Sequence, residues 1–251
     1  MRKYIVIPAR LSSTRLRKKV VLELCGKPVI QRVFEQCAKV NDVTTYIATD
    51  SQEIKTVCET FTDNIILTKK NHQSGTDRIA EAIKKINACD LVVNVQGDEP
   101  FIDPNLITDL FKALESNEIK MVSAMKRIST QKELENPNTV KVITDKNKNA
   151  IYFSRAPIPF MRENNKRPEN ICQYENYYKH IGIYGYKKDF LLRFSNFEIG
   201  ELENIEKLEQ LRAIENGIKI KMIETNYFAL GIDTKEDYKN AIKYYEDTKT
   251  K

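Results

Sequence analysis

With 251 residues, 41% of them hydrophobic and 30% charged, the chain can build a sizeable core beneath an ordinary solvated surface. Its 41 Lys+Arg against 35 Asp+Glu leave a charge of +6, which suits nucleic acid, an anionic small substrate or a merely lysine-rich face. No apolar run approaches the ~20 residues of a membrane helix, Tyr4–Ile7 is too short for a secretory h-region, and the expectation is a cytoplasmic protein.

Tyr4–Pro8 reads as a fully buried strand that empties into a basic loop carrying Arg10, Arg15, Arg17, Lys18 and Lys19. Pro28 suits the first turn of a helix, continued by Val29, Ile30, Val33, Phe34 and Cys37 at helical spacing. Thr44–Ala48 is a β-branched strand, and Ile54, Val57, Cys58 and Phe61 mark a second helix. A short strand at Asn64–Leu67 precedes a third helix carrying Ile79, Ala82, Ile83 and Ile86, introduced by Ser74-Gly75-Thr76-Asp77. Leu91–Val95 is the most strand-like run and stops at Gln96-Gly97-Asp98-Glu99-Pro100, ahead of a helix with Leu106, Ile107, Leu110, Phe111 and Leu114 on one face. This strict alternation predicts an α/β fold with a mostly parallel central sheet flanked by helices. Further strands are expected over Met121–Ile128, Val140–Ile143, His180–Tyr186 and Ile218–Ile223. One helix is expected over Glu203–Asn216, with Ile205, Leu208, Leu211 and Ile214 inward and Gly217 as its stop. A closing helix over Lys235–Asp247 has Thr234 as N-cap and Asp237 three residues on. Met161–Glu175 reads as an exposed excursion. No linker is evident, so a single domain over 1–251 is expected, its regular first half (1–115) followed by a more mixed second half (116–251).

The five cysteines (Cys25, Cys37, Cys58, Cys89 and Cys172) are scattered and form no C-x-x-C, which argues against disulfides and structural zinc. Cys37 and Cys58 fall on apolar stripes and read as small buried hydrophobes. With His72 and His180 the only histidines, a multi-histidine metal site is excluded.

Ligands of an open parallel sheet bind at the carboxyl ends of its strands. Here those ends deliver Arg10 and its basic loop, Thr49-Asp50, and Gln96-Gly97-Asp98-Glu99. Cations beside carboxylates suggest a metal-bound polyphosphate. Ser12-Ser13-Thr14 would let backbone N–H groups approach phosphates. Neither a Walker pattern nor G-x-G-x-x-G follows the first strand, which argues against a P-loop NTPase or a dinucleotide-binding dehydrogenase. Residues 8–20 hold no aromatic side chain for base stacking, which argues against nucleic acid. Asp98 and Glu99 could equally just end a strand, and Asp233 could simply support a helix N-terminus.

The segments IPAR, STRL, ATD, HQSGTDR, VNVQGDEP, NPNTVKV, YFSRAPIP, HIGIYGY, LEQLR and GIDT occur in this order from Ile7 to Thr234. Together they resemble the 3-deoxy-manno-octulosonate (KDO) cytidylyltransferase family, whose members have a glycosyltransferase-A-like nucleotidyltransferase fold. The resemblance implies a Mg²⁺-dependent cytoplasmic homodimer that couples CTP to KDO for lipopolysaccharide synthesis, with no nucleic-acid or membrane partner. It implies that Arg10, Ser13, Arg15 and Lys19 bind the CTP phosphates and that Ser74, Gly75 and Arg78 contact the nucleotide. It assigns Asp98 and Asp233 as metal ligands, with Lys19 beside them in catalysis. It places Gln96, Arg155, His180, Tyr184, Glu209 and Gln210 around the sugar acid. The family keeps proline, glycine and proline where this chain has Arg17, Lys18 and Val20, and a proline within the stretch here occupied by Asn226–Leu230. A relative of KDO such as its 8-amino analogue, or a non-catalytic nucleotide- or sugar-binding role, are the alternatives.

Overall fold

In a computed structural model, residues 1–11, 15–86, 88–160, 162 and 177–249 are described. They divide into two compact units, Met1–Phe111 with Tyr227–Lys251, and Lys112–Asn226. The excursion predicted at Met161–Glu175 lies outside the described residues apart from Arg162, and Cys172 and Ser13 lie outside them too.

The first unit opens with β1 (Lys3–Ala9), whose Ile5, Val6 and Ile7 are wholly buried. A two-residue hairpin, β2 (Glu23–Leu24) and β3 (Lys27–Pro28), follows the basic loop. Its central Cys25 and Gly26 both have positive φ (50° and 86°), as the twist of a tight hairpin demands. Pro28 therefore pairs in the hairpin and stands one residue ahead of α1 (Val29–Cys37), not in its first turn. Then come β4 (Val43–Thr49), α2 (Gln52–Cys58), β5 (Ile65–Leu67), α3 (Gly75–Lys84), β6 (Leu91–Asn94) and α4 (Pro104–Leu114). The four longer strands pair in parallel in the order β6-β1-β4-β5. The predicted alternation of strand and helix is thus the observed one, and β4, β5 and β6 are each fed by a helix, α1, α2 and α3 in turn.

In the second unit β7 (Met121–Arg127) precedes α5 (Gln131–Glu135), β8 (Lys141–Thr144) and β9 (Ala150–Ser154). After them come β10 (Tyr178–Lys187), α6 (Lys188–Phe194), α7 (Glu201–Glu206), α8 (Leu211–Glu215) and β11 (Ile220–Glu224). Here β10 runs antiparallel to β7 and β8, β8 antiparallel to β9, and β11 parallel to β7, so this sheet is mixed. Strand β9 and helices α5 and α6 are additions to the sequence-based expectation.

The single helix expected over Glu203–Asn216 is two. Lys207 takes a left-handed conformation (φ 53°) and ends α7, and Ile205 turns out to solvent. The break has a physical cause. Glu203 and Arg212 form a buried bidentate ion pair, both bonds at 2.6 Å. Nine residues along one straight helix would hold them roughly 13 Å apart, out of reach. Gly217 does terminate α8, with φ 69°.

The closing helix α9 (Lys235–Lys249) returns the chain to the first unit and starts as expected. Thr234 Oγ1 accepts from the Asp237 amide at 3.1 Å, and the Asp237 carboxylate accepts from the Thr234 amide at 2.8 Å. Arg32 ties the hairpin to this helix. It donates to the Leu24 and Cys25 carbonyls and to Tyr245 Oη, with its guanidinium 4.1 Å over the Tyr245 ring. Cys37 and Cys58 are buried free thiols, and burial pushes the Cys58 thiol up to about 12, so neither is a nucleophile.

Candidate active site

The strand order β6-β1-β4-β5 contains one switch point. The chain winds outward from β1 to β4 and β5, then α3 carries it back to β6 on the other side of β1. Ligands of such sheets bind in the crevice outside the carboxyl ends of the two strands at the switch. A cleft is found there, lined by Pro8, Ala9, Arg10, Gln96, Ser74, Gly75 and Arg78. It gathers four of the nucleotide residues expected from the sequence together with Gln96, which was expected at the sugar.

Its floor is the first turn of α3. Ser74 Oγ accepts from the Asp77 amide and Asp77 answers to the Ser74 amide, a capping box that leaves the positive end of the helix facing the cleft. Gly75 brings this turn close to β1: a Cβ added there would be in van der Waals contact with the Pro8 ring, at 3.4 Å. Arg78 is buried and committed, donating to Thr68 Oγ1 at 2.5 Å and to Asp50 Oδ2 at 2.9 Å. Its role is to lock the β4 and β5 ends against α3, with donors to spare for an anion. Gly97 lets the loop after β6 lie against β1, since an added Cβ would sit 3.0 Å from the Pro8 carbonyl.

Beyond Gly97 the acidic residues and the basic loop meet. Lys19 Nζ donates to Asp98 Oδ2 and, at 2.9 Å, to Asp233 Oδ1, while Arg15 pairs with Asp233 Oδ2. Burial works against the Lys19 charge, but Asp98 and Asp233 together outweigh it and hold its pKa above the ordinary lysine value. Asp233 is therefore more than a helix N-terminal support: its amide serves α9 while its carboxylate faces Lys19. Two converging carboxylates offer the hard oxygen donors that Mg²⁺ takes from protein when substrate phosphates complete its shell. The donor set fits that ion. Among the described residues no cluster of three or more His, Cys, Asp or Glu exists that could enclose a metal unaided.

Lys18 takes a left-handed conformation (φ 55°, ψ 27°) just before the turn at Lys19–Val21. This is the conformation glycine adopts freely. Its ammonium sits on Glu53, at 2.7 and 3.0 Å from the two carboxylate oxygens, and so takes no part in the Asp98–Asp233 pair. Arg17 is exposed and Val20 is buried.

Sequence reasoning missed what brings Asp233 back to Asp98. Glu99 is half-buried; loss of solvent, then the adjacent Asp98 charge, raise its pKa to about 7. Tyr227 Oη donates to Glu99 Oε2 at 3.0 Å, and the Ile232 amide donates to the Asp98 carbonyl at 2.9 Å. Gly231 runs so close that a Cβ would lie 2.8 Å from Glu99 Oε1. Leu230 and Ile232 then pack with Leu24, Val29 and Ala241.

The second unit holds the remaining expected residues. Arg155 follows β9 and is gripped by Glu206: its amide donates to Oε2 at 2.9 Å, its Nε to the Glu206 carbonyl at 2.8 Å, and its Nη1 to Pro137 at 3.0 Å. Beneath it, wholly buried Lys141 donates to the carbonyls of Asn136, Thr139 and Arg155 itself. His180 and Tyr184 project from one face of β10, ring centroids 5.3 Å apart. Burial drives His180 down to about 3, so the ring is neutral. Burial, then the Glu209 charge, push the Tyr184 phenol well above its usual value. Glu209 and Gln210 lie in the turn between α7 and α8 that the break at Lys207 creates. Gln210 Nε2 is buried with no hydrogen-bond partner among the described residues, a donor poised for a ligand oxygen.

Comparison with known proteins shows the family and the fold. A cytidylyltransferase family model matches residues 4–220. The 3-deoxy-manno-octulosonate cytidylyltransferase of Fusobacterium nucleatum is 42% identical over 247 residues, 98% of each chain. That of Francisella tularensis subsp. novicida is 45% identical over 239 residues, 93% of this chain and 94% of its own. A solved structure of CMP:2-keto-3-deoxy-manno-octonic acid synthetase complexed with CTP superimposes with a TM-score of 0.91 at 34% identity, covering 99% of this chain and 100% of that one. At 17% identity, the 4-diphosphocytidyl-2C-methyl-D-erythritol synthase of Anaerococcus prevotii shares the fold alone, with a TM-score of 0.61 over 98% of this chain and 96% of its own. With a nucleotidyltransferase fold, a cleft at its switch point and relatives of one name along nearly its whole length, the chain is an enzyme of the 3-deoxy-manno-octulosonate cytidylyltransferase family.

Proposed function

We propose that this enzyme couples CTP to KDO with Mg²⁺, releasing CMP-KDO and pyrophosphate for lipopolysaccharide synthesis, as a cytoplasmic homodimer. The observation that carries the reading is the meeting of Lys19, Arg15, Asp98 and Asp233 beyond a cleft formed by the first turn of α3 and the ends of β1 and β6.

The triphosphate suits that cleft. Arg10 and the α3 N-terminus supply positive charge and backbone donors. Lys19, kept charged by its carboxylates, neutralises phosphate oxygens as the leaving group departs. In the reaction a sugar hydroxyl oxygen bonds to the α-phosphorus, the bond from phosphorus to pyrophosphate breaks, and the hydroxyl proton is lost to solvent. Such a transfer asks the protein for alignment and charge neutralisation more than for covalent help. Asp98 and Asp233 are the residues that would hold Mg²⁺, which when bound polarises phosphate oxygens and lowers the pKa of a hydroxyl. In the second unit Arg155, its backbone and Nε already fixed, suits a carboxylate, and Gln210 suits a sugar or carboxylate oxygen.

Asp98→Asn and Asp233→Asn should each lose about a hundredfold or more in turnover, with circular dichroism unchanged. Near-native turnover of either variant at saturating Mg²⁺ would remove that carboxylate from the metal site.

A further inference from the structure

His180 is held by a hydroxyl that the mechanism does not use. Ser123 lies in the middle of β7, wholly buried between Val122 and Ala124. Its Oγ is 2.9 Å from His180 Nε2, 2.8 Å from the Ile183 carbonyl and, more distantly, 3.4 Å from the Ile181 carbonyl, another group that can only accept. A bulge in β10 produces this arrangement. His180 and Ile181 pair with Met125 and Ala124, but the next pair is Tyr184 with Ser123, so Gly182 and Ile183 are extra. Same-face neighbours on a regular strand are two residues apart; here His180 and Tyr184, four apart, stand side by side. The excursion between them turns the Ile183 carbonyl toward Ser123.

Proton accounting then fixes the imidazole. A serine hydroxyl has one proton, and a carbonyl can only accept. At 2.8 Å the Ser123 proton must go to Ile183, because two bare oxygens at that distance repel. Ser123 Oγ therefore faces His180 Nε2 as an acceptor, and Nε2 must carry hydrogen. The ring is neutral, as its burial against Phe153 and Tyr184 requires, so Nδ1 is bare.

We propose that Ser123 is a positioning residue that fixes His180 as its Nε2–H tautomer, so that Nδ1 accepts a hydroxyl of the sugar acid and rejects its carboxylate. This rests on His180 belonging to the sugar site, and it divides the labour there: the carboxylate goes to Arg155 and a hydroxyl to His180.

The test is long-range ¹H–¹⁵N NMR of histidine side chains in the full chain at neutral pH. The chain has two histidines, so His72→Gln assigns the spectrum. The wild type should show a protonated Nε2 and a bare Nδ1. Ser123→Ala should collapse this to a mixture of tautomers, raise KM for KDO about tenfold and leave KM for CTP unchanged, while Ser123→Thr, which keeps the hydroxyl, should restore the tautomer. A wild-type ring protonated at Nδ1 overturns the proposal, and needs no variant to fold. So does a Ser123→Ala spectrum identical to wild type, or an unmoved KM for KDO. Absence of turnover of any 3-deoxy-ulosonate by the wild type overturns the functional reading instead, and is distinguishable because the tautomer is read without substrate.

Discussion

Lys18 and Lys19 are chemically identical neighbours with opposite fates. Lys19 reaches Asp98 and Asp233, whereas Lys18 adopts a left-handed backbone and spends its ammonium on Glu53. The left-handed turn costs a lysine about 1 kcal/mol, and an exposed ion pair with Glu53 offsets part of that at most. A glycine would take the turn freely, and the ion pair shows where the cation went instead. Lys19→Ala should therefore raise KM for CTP or lower turnover by about a hundredfold, and Lys18→Ala by no more than about twofold, in steady-state pyrophosphate release. Equal effects would mean that both cations serve the phosphates. From sequence alone the charge of this loop was legible, and its conformation was not, because the packing on either side of position 18, partly buried Leu16 against the Leu24–Ile232 cluster and buried Val20, is tertiary. Ser123 was less legible still: a lone serine within Met121–Met125 reads as strand filler until the bulge in β10 is seen.

Secondary structure separates cleanly into what periodicity carries and what tertiary contacts impose. Strands β1, β4, β6 and β7 are apolar runs bounded by turn residues, and helices α1, α3 and α4 have their apolar residues at helical spacing, so each was predicted close to its observed limits. Beside the misplaced Pro28 and the unpredicted β9, α5 and α6, the instructive error was α7–α8. Ile205, Leu208, Leu211 and Ile214 recur as in one helix, and Glu, Lys, Leu and Gln are good helix formers. The buried Glu203–Arg212 pair overrides them, because an isolated charge in that place would be worse than a broken helix. Lys207→Gly should raise stability by roughly 0.5–1 kcal/mol, since glycine adopts the left-handed turn without steric penalty. Lys207→Val should lower it by about 1 kcal/mol or more, β-branching making that turn harder. Urea denaturation reads both, and equal destabilisation by the two would contradict a left-handed break.

For the molecule as a whole, the parallel half and its ligand edge followed from strand–helix alternation, but the pairing of distant segments did not. Lys19 and Asp233 lie 214 residues apart. Only the resemblance linked them beforehand, and only the fold shows how: Tyr227–Lys251 joins the first unit, anchored by Tyr227 on Glu99 and by Ile232 in the cluster with Leu24 and Val29. Local pattern has no way to encode that return. Arg32, between hairpin and α9, is likewise invisible as a staple in a sequence that shows it only as one cation on an amphipathic helix. No described helix is long and apolar enough to cross a membrane. The family relationship, the switch-point cleft and the Lys19–Asp98–Asp233 cluster all point to nucleotidyl transfer onto a sugar acid. Incubating the purified chain with CTP and Mg²⁺, with and without KDO, and following pyrophosphate tests this directly. Release that requires both KDO and Mg²⁺, with CMP-KDO formed in equal amount, is the predicted result; no release with KDO or its 8-amino analogue would contradict it.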